Sequence, residues 1–201
     1  ENAAAAAFEM TVQRSLEYRA DTADHMQQVL DADPGFAMGH CLKGLLLTGF
    51  QSTRMRGAVS ECVVAAEAAA ANATWREKAN IAALKAISGG RRRKACDIWE
   101  EILVKHPTDL LALRHLTHAL FWSGRSFEMR DGVARVVRDW DESLPGYGFV
   151  LGMYSFGLEE SGEYGRAEEL GKRAVELNRN DLWAVHSVAH VLEMQGRLQD
   201  G

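Results

Sequence analysis

Residues 148–181 read GFVLGMYSFGLEESGEYGRAEELGKRAVELNRND, and this stretch decides the fold. Apolar side chains recur at helical spacing on both sides of Gly162. A glycine permits the sharp turn between two helices, whereas Ala167 and Ala174 are small enough for those helices to approach closely. Residues 178–181 are asparagine and aspartate with one arginine, which favours a turn after the second helix. The stretch therefore predicts two antiparallel helices joined by a glycine turn.

The glycine turn recurs along the chain. Four glycines each close an apolar helical run, at intervals of 34, 38 and 34 residues: Gly90, Gly124, Gly162 and Gly196. An insertion at residues 144–147 accounts for the longer interval. A period of 34 residues is that of the tetratricopeptide repeat, a helix–turn–helix unit that buries its apolar face by stacking on its neighbours. We therefore predict an all-α fold, a tetratricopeptide-like α-solenoid of antiparallel helix pairs that winds as a right-handed superhelix.

The repeat frame divides the chain into two regions. The first, residues 1–75, is predicted to hold an N-terminal helix and degenerate helical repeats, with helices near 4–19, 22–32, 36–50 and 58–71. The second holds tetratricopeptide repeats at 76–109, 110–143 and 148–181, and an incomplete one at 182–201. A solenoid leaves an apolar flank uncovered where a repeat stops half-way. We therefore expect either a further C-terminal part of the protein or another molecule on that flank.

The bulk composition argues against several classes of partner. The 201 residues are 47% hydrophobic and 25% charged, as in ordinary folded proteins. The net charge of −5 provides no basic field for nucleic acid or an anionic membrane, and no run approaches the about 18 apolar residues that span a bilayer. The cysteines Cys41, Cys62 and Cys96 lack Cys-x-x-Cys spacing. We expect them to be small core residues of a cytoplasmic protein that binds neither nucleic acid nor membrane.

The repeat register assigns side chains to a concave groove. In tetratricopeptide arrays the first helix of each pair lines this groove, through positions three and four residues apart. Aromatic residues at such spacing usually belong to a core, but this register exposes them unless a peptide, a small molecule or another helix fills the groove. The candidate groove residues are Arg114, His118, Phe121, Trp122, Phe149, Phe156, Glu159, Trp183, His186, His190 and Glu193.

Two sets of these groove residues have polar side chains that could bind a ligand. Arg114 could hold a carboxylate or a phosphate, or pair with Glu159 or Glu160 of the next repeat. His186, His190 and Glu193 share one helix face, where they could bind Zn²⁺ or another divalent metal ion, or transfer protons. They could equally contact a ligand without catalysing a reaction or binding a metal ion, or have a purely structural role. The His-Glu-x-x-His order of metallopeptidases is absent. No cofactor is expected, with a divalent metal ion as the alternative.

Several stretches resemble a known family in order and spacing. They are residues 32–40, 94–103, 106–113, 129–135, 154–159 and 185–194. Together they resemble the family of tetratricopeptide repeat protein 38 and its bacterial relatives. The resemblance covers most of the chain and implies a helical-repeat fold in a protein about twice this long, with more repeats after residue 201. It implies no particular reaction.

Two functions from different classes follow. The first is a binding scaffold whose concave groove holds a peptide, a partner helix or a small ligand. The second is a metal-dependent enzyme or small-molecule binder centred on His186, His190 and Glu193. No nucleophile–base pair, phosphate-binding loop or dinucleotide fingerprint favours a particular enzyme class, so an enzyme is the weaker hypothesis. A homo-oligomer is a third hypothesis, because a second copy could cover the predicted apolar flank.

Overall fold

The computed structural model describes residues 3–200, and within that range the chain forms α-helices and no β-strand. The all-helical prediction is therefore confirmed. Short 3-10 turns occupy Thr53–Met55 and Val137–Asp139. The helices are α1 (Ala3–Leu16), α2 (Thr22–Ala32), α3 (Ala37–Gly49), α4 (Arg56–Ala69), α5 (Trp75–Ser88), α6 (Arg92–Lys105), α7 (Leu110–Phe121), α8 (Ser126–Val136), α9 (Tyr147–Glu159), α10 (Tyr164–Leu177) and α11 (Leu182–Met194).

The chain divides into two compact units, which meet between Ile102 and Leu103. In the first unit each helix from α1 to α4 packs on the next one along the chain, and α3 also packs on α5. Gly44 of α3 makes this packing close, because a Cβ there would lie 2.7 Å from Leu84 Cδ2 and 3.1 Å from Cys62 Cβ. The core around this contact includes fully buried leucines at 42, 45 and 84.

A local signal explains where α5 begins. The hydroxyl of Thr74 accepts a hydrogen bond from the backbone N–H of Glu77, and the Glu77 carboxylate accepts one from the backbone N–H of Thr74. This reciprocal capping box satisfies two donors that the first turn of α5 would otherwise leave unpaired.

All three cysteines are buried and unbridged, as the sequence predicts.

The second unit has the contact pattern of a helical repeat. Each helix from α7 to α10 packs on the next one along the chain, and α9 also packs on α7 and on α11. Contacts between successive helices, and of α9 with α7 and α11, are consistent with a helical repeat. Helix α9 lies at the centre of the unit, and every residue from 149 to 159 is buried.

The four glycine turns predicted from the sequence share one geometry. Each glycine has a positive φ, between +65° and +81°, which an L side chain rarely adopts. After each one, the next backbone N–H donates to the carbonyl five residues earlier, which closes the helix with the hydrogen bond of a Schellman motif. These bonds are Arg91 to Ala86, Arg125 to Leu120, Glu163 to Leu158 and Arg197 to Leu192, at 2.8–3.1 Å.

The chain ends and the apolar character of the helices complete the fold. Glu1, Asn2 and Gly201, the last of which is the predicted end of the incomplete repeat, lie outside the described residues. Among residues 3–200 no helix has both the length and the apolar character that crossing a bilayer requires.

Candidate functional site

A narrow recess opens on the second unit where side chains of α7, α9 and α11 converge. It contains about 300 Å³ of space not filled by atoms, part of it open to solvent. Its floor and walls combine aromatic rings with two methionines, one arginine and one histidine. The lining residues are Arg114, Thr117, His118, Phe121, Met129, Met153, Phe156 and Trp183.

Three aromatic rings from three different helices form one wall of the recess. The centroid of Phe156 lies 5.1 Å from that of Phe121 and 4.5 Å from that of Trp183. Phe121 and Trp183 are themselves 6.1 Å apart, so each ring contacts the other two. Their edge-on and tilted arrangements are those that the charge distribution of aromatic rings favours. The three rings of the wall therefore pack against one another.

Trp122 extends this wall towards solvent. Its ring lies 5.3 Å from Phe121, and half of the residue is exposed. The indole N–H donates a hydrogen bond of 2.9 Å to Nε2 of His118, one turn earlier on α7. Nε2 therefore acts as an acceptor, which requires an imidazole that carries no proton at that nitrogen. The bond orients an exposed indole beside Phe121, which lines the recess.

Asp181 positions Trp183 by capping α11. Its Oδ1 accepts hydrogen bonds from the backbone N–H groups of Trp183 and Ala184, both at 3.1 Å. The other carboxylate oxygen is buried without a hydrogen bond and lies against Gly152, where a Cβ would come within 2.3 Å of it. Burial raises the pKa of Asp181 to about 6, although the cap and the charge of Arg114 oppose the shift. The guanidinium of Arg114 also lies 5.9 Å from the Trp183 ring centroid.

A second group of polar side chains continues from the aromatic wall. The rings of His186 and His190 lie 4.1 Å apart, and His186 is 6.0 Å from Phe156. Nδ1 of His190 lies 3.7 Å from Oε2 of Glu159, a buried carboxylate at the end of α9. Glu159, Glu160 and His190 each offer one potential ligand atom, and these atoms lie within 4.8 Å of one another. We call these three residues the His/Glu cluster.

The electrostatics of this group follow from burial. The pKa of Glu159 is raised mainly by burial and further by the charge of Glu160, while His190 opposes the shift. Burial and the neighbouring His190 lower the pKa of His186.

The structure distributes the predicted groove residues over several places. Arg114, His118, Phe121, Phe156 and Trp183 line the recess, Trp122 extends it, and His186 joins it to the His/Glu cluster, which holds Glu159 and His190. Glu193 is exposed and belongs to no cluster of potential metal ligands among the described residues. Phe149 is buried and lies outside the lining of the recess.

Sequence reasoning missed three lining residues and one carboxylate of the cluster. Met153 lies one turn before Phe156 on α9, so the spacing of the predicted groove residues could have indicated it. Thr117 and Met129 approach the recess through the packing of α7 on α8 and α9, which no local pattern reveals. From the sequence, Glu160 is a candidate partner for Arg114 and not a candidate metal ligand.

A comparison of the chain with models of known protein families gave no match. The function must therefore be inferred from the chemistry of the recess and of the His/Glu cluster.

Proposed function

We propose that this protein is a helical-repeat binding protein of the tetratricopeptide type, a right-handed solenoid related to the family of tetratricopeptide repeat protein 38. In this proposal the recess between α7, α9 and α11 holds a peptide segment of a partner protein. The glycine turns at intervals of 34, 38 and 34 residues, with their shared backbone geometry, support the repeat assignment. The observation that carries the binding function is the aromatic wall, which three successive first helices build together.

The openness of the recess favours a peptide over an enclosed small molecule. Sites for small molecules usually bury most of the ligand. Part of this recess is open to solvent. It therefore suits an apolar or aromatic side chain that projects from a longer segment. Trp122 and Trp183 provide amphipathic rings of the kind that dominate the energetics of protein interfaces.

Peptide selection followed by affinity measurement tests the proposal. A random peptide library is selected on the wild-type protein, and the dissociation constants of enriched, fluorescently labelled peptides are measured by anisotropy. Replacing Trp183 with alanine removes the ring that contacts both Phe121 and Phe156, so binding should weaken by about 2 kcal/mol, roughly thirtyfold. Trp122→Ala, at an exposed position with little risk to folding, should weaken binding by a smaller factor.

Phe127→Ala provides the matched control. Phe127 is an exposed aromatic residue of α8 whose ring packs against Arg130, and it does not line the recess. Peptide affinity should be unchanged in this variant. Failure to enrich any peptide, or equal binding to the wild type and to Trp183→Ala, would contradict the proposal. Circular dichroism of each variant establishes that the helical content is retained.

A further inference from the structure

Glu159 is a buried residue with a carboxylate oxygen that accepts no hydrogen bond. Only 6% of the residue is exposed, and its Oε2 atom is inaccessible to solvent and accepts no hydrogen bond. A buried carboxylate oxygen without a donor is costly, because it loses its hydration and receives no hydrogen bond in return. The neighbouring Glu160 adds a like charge. The folded chain therefore positions two carboxylates in a way that a bound cation would stabilise.

An imidazole from another helix lies beside the oxygen that accepts no hydrogen bond. Nδ1 of His190, on α11, lies 3.7 Å from Oε2 of Glu159, within ion-pair distance of a protonated histidine but too far for a hydrogen bond. Two atoms bound to one tetrahedral zinc ion at about 2.0–2.1 Å lie roughly 3.4 Å apart. The observed separation is thus close to that of two ligands of a common ion. A ligand atom of Glu160 completes the group within 4.8 Å.

We propose that Glu159, Glu160 and His190 bind one divalent first-row transition metal ion. This site differs from the one predicted from the sequence, because the carboxylates come from the end of α9 instead of from Glu193 on the histidine helix. It goes beyond peptide binding and does not depend on it.

The ligand types select the class of metal. One imidazole nitrogen with two carboxylate oxygens suits Zn²⁺, Fe²⁺ and Mn²⁺, whereas Ca²⁺ and Mg²⁺ prefer oxygen ligands alone. Zn²⁺ should bind more tightly than Mn²⁺, following the usual order of divalent affinities. Three protein ligands leave at least one coordination position of the ion open to water or to another ligand.

Metal titration of the full, tag-free chain tests the site. After treatment with a chelator, the protein is titrated with Zn²⁺ in competition with a chromophoric chelator, and with Co²⁺ while its visible absorption is recorded. We expect one Zn²⁺ per chain, a Co²⁺ spectrum typical of nitrogen and oxygen ligands, and a higher melting temperature with Zn²⁺. His190→Gln and Glu160→Gln should each weaken Zn²⁺ binding by more than about tenfold.

Two further variants keep the test decisive. Glu193→Gln alters an exposed carboxylate on the same helix as His190 and should leave Zn²⁺ affinity unchanged. Glu160 is only partly buried, so its variant should fold even where a change at Glu159 does not. Absence of one-to-one Zn²⁺ binding, or a loss in Glu193→Gln as large as in Glu160→Gln, would overturn the proposal. Trp183→Ala should retain Zn²⁺ binding whether or not peptides bind, which separates this site from the peptide recess.

Discussion

Asp181 shows how a single residue combines a helix cap with an electrostatic cost. One carboxylate oxygen caps α11, and the other is buried against Gly152 without a hydrogen bond. Because burial raises the pKa of Asp181 to about 6, the folded state holds this proton more tightly than the unfolded chain does. The residue therefore favours folding most below about pH 4, and the free energy of unfolding falls as the pH rises from about 4 to about 6.

We expect Asp181→Asn to stabilise the protein at neutral and alkaline pH. Asparagine keeps a side-chain acceptor for the cap but carries no charge into the core. At about pH 8 the free energy of unfolding should increase by about 1–3 kcal/mol, and the gain should vanish near pH 4, where the aspartic acid of the folded protein is already neutral. Urea denaturation at both pH values measures this difference. An equal effect at the two pH values would show that ionisation of Asp181 is not its cause.

At the scale of the element, α9 organises the second unit because its small residues admit close neighbours. The hydroxyl of Ser155 donates to the carbonyl of Ala167 on α10 and lies 2.7 Å from the hydroxyl of Ser187 on α11. Gly157 lies on the face of α9 that packs against α8, where a Cβ would lie 2.8 Å from the Cα of Arg130. Helix α9 can therefore contact three other helices closely along one length of chain.

Two glycine-to-alanine variants in neighbouring helices should have opposite effects. In Gly157→Ala the added methyl meets backbone atoms of Arg130, which cannot rotate away, so we expect a loss of about 1–3 kcal/mol. In Gly165→Ala of α10 the methyl enters open space, and alanine favours the helix by about 0.5–1 kcal/mol. Thermal and urea denaturation of both variants measure the difference. An unchanged stability of Gly157→Ala would contradict the close approach of α8 and α9, and destabilisation by Gly165→Ala would contradict the open space beside Gly165.

At the scale of the whole molecule, all three cysteines lie in the first unit and none is on its surface. Cys41 is fully buried, and Cys62 and Cys96 are nearly so. Burial raises the pKa values of Cys41 and Cys62, which lowers the fraction of reactive thiolate. Thiol chemistry is therefore a measure of how often the first unit opens.

Thiol labelling should accordingly be slow in the folded protein. We expect reaction with an aromatic disulfide reagent to be at least about a hundredfold slower in native buffer than in denaturant, for all three cysteines. Ser60→Cys, at an exposed position on α4, supplies a fast-reacting control in the same unit. Rapid labelling of more than the introduced cysteine under native conditions would show that the first unit opens readily.

The sequence by itself determined the features that depend on residues close together in the chain. The positive φ of the four turn glycines and the common face of His186 and His190 follow from local geometry, since a turn needs a residue without Cβ and a helix repeats every 3.6 residues. Only the tertiary structure decided that Glu159, not Glu193, lies beside His190, and that Phe149 is buried away from the recess. Such pairings depend on the axial register of α9 against α11, which arises from packing between helices and leaves no periodic signal in either one.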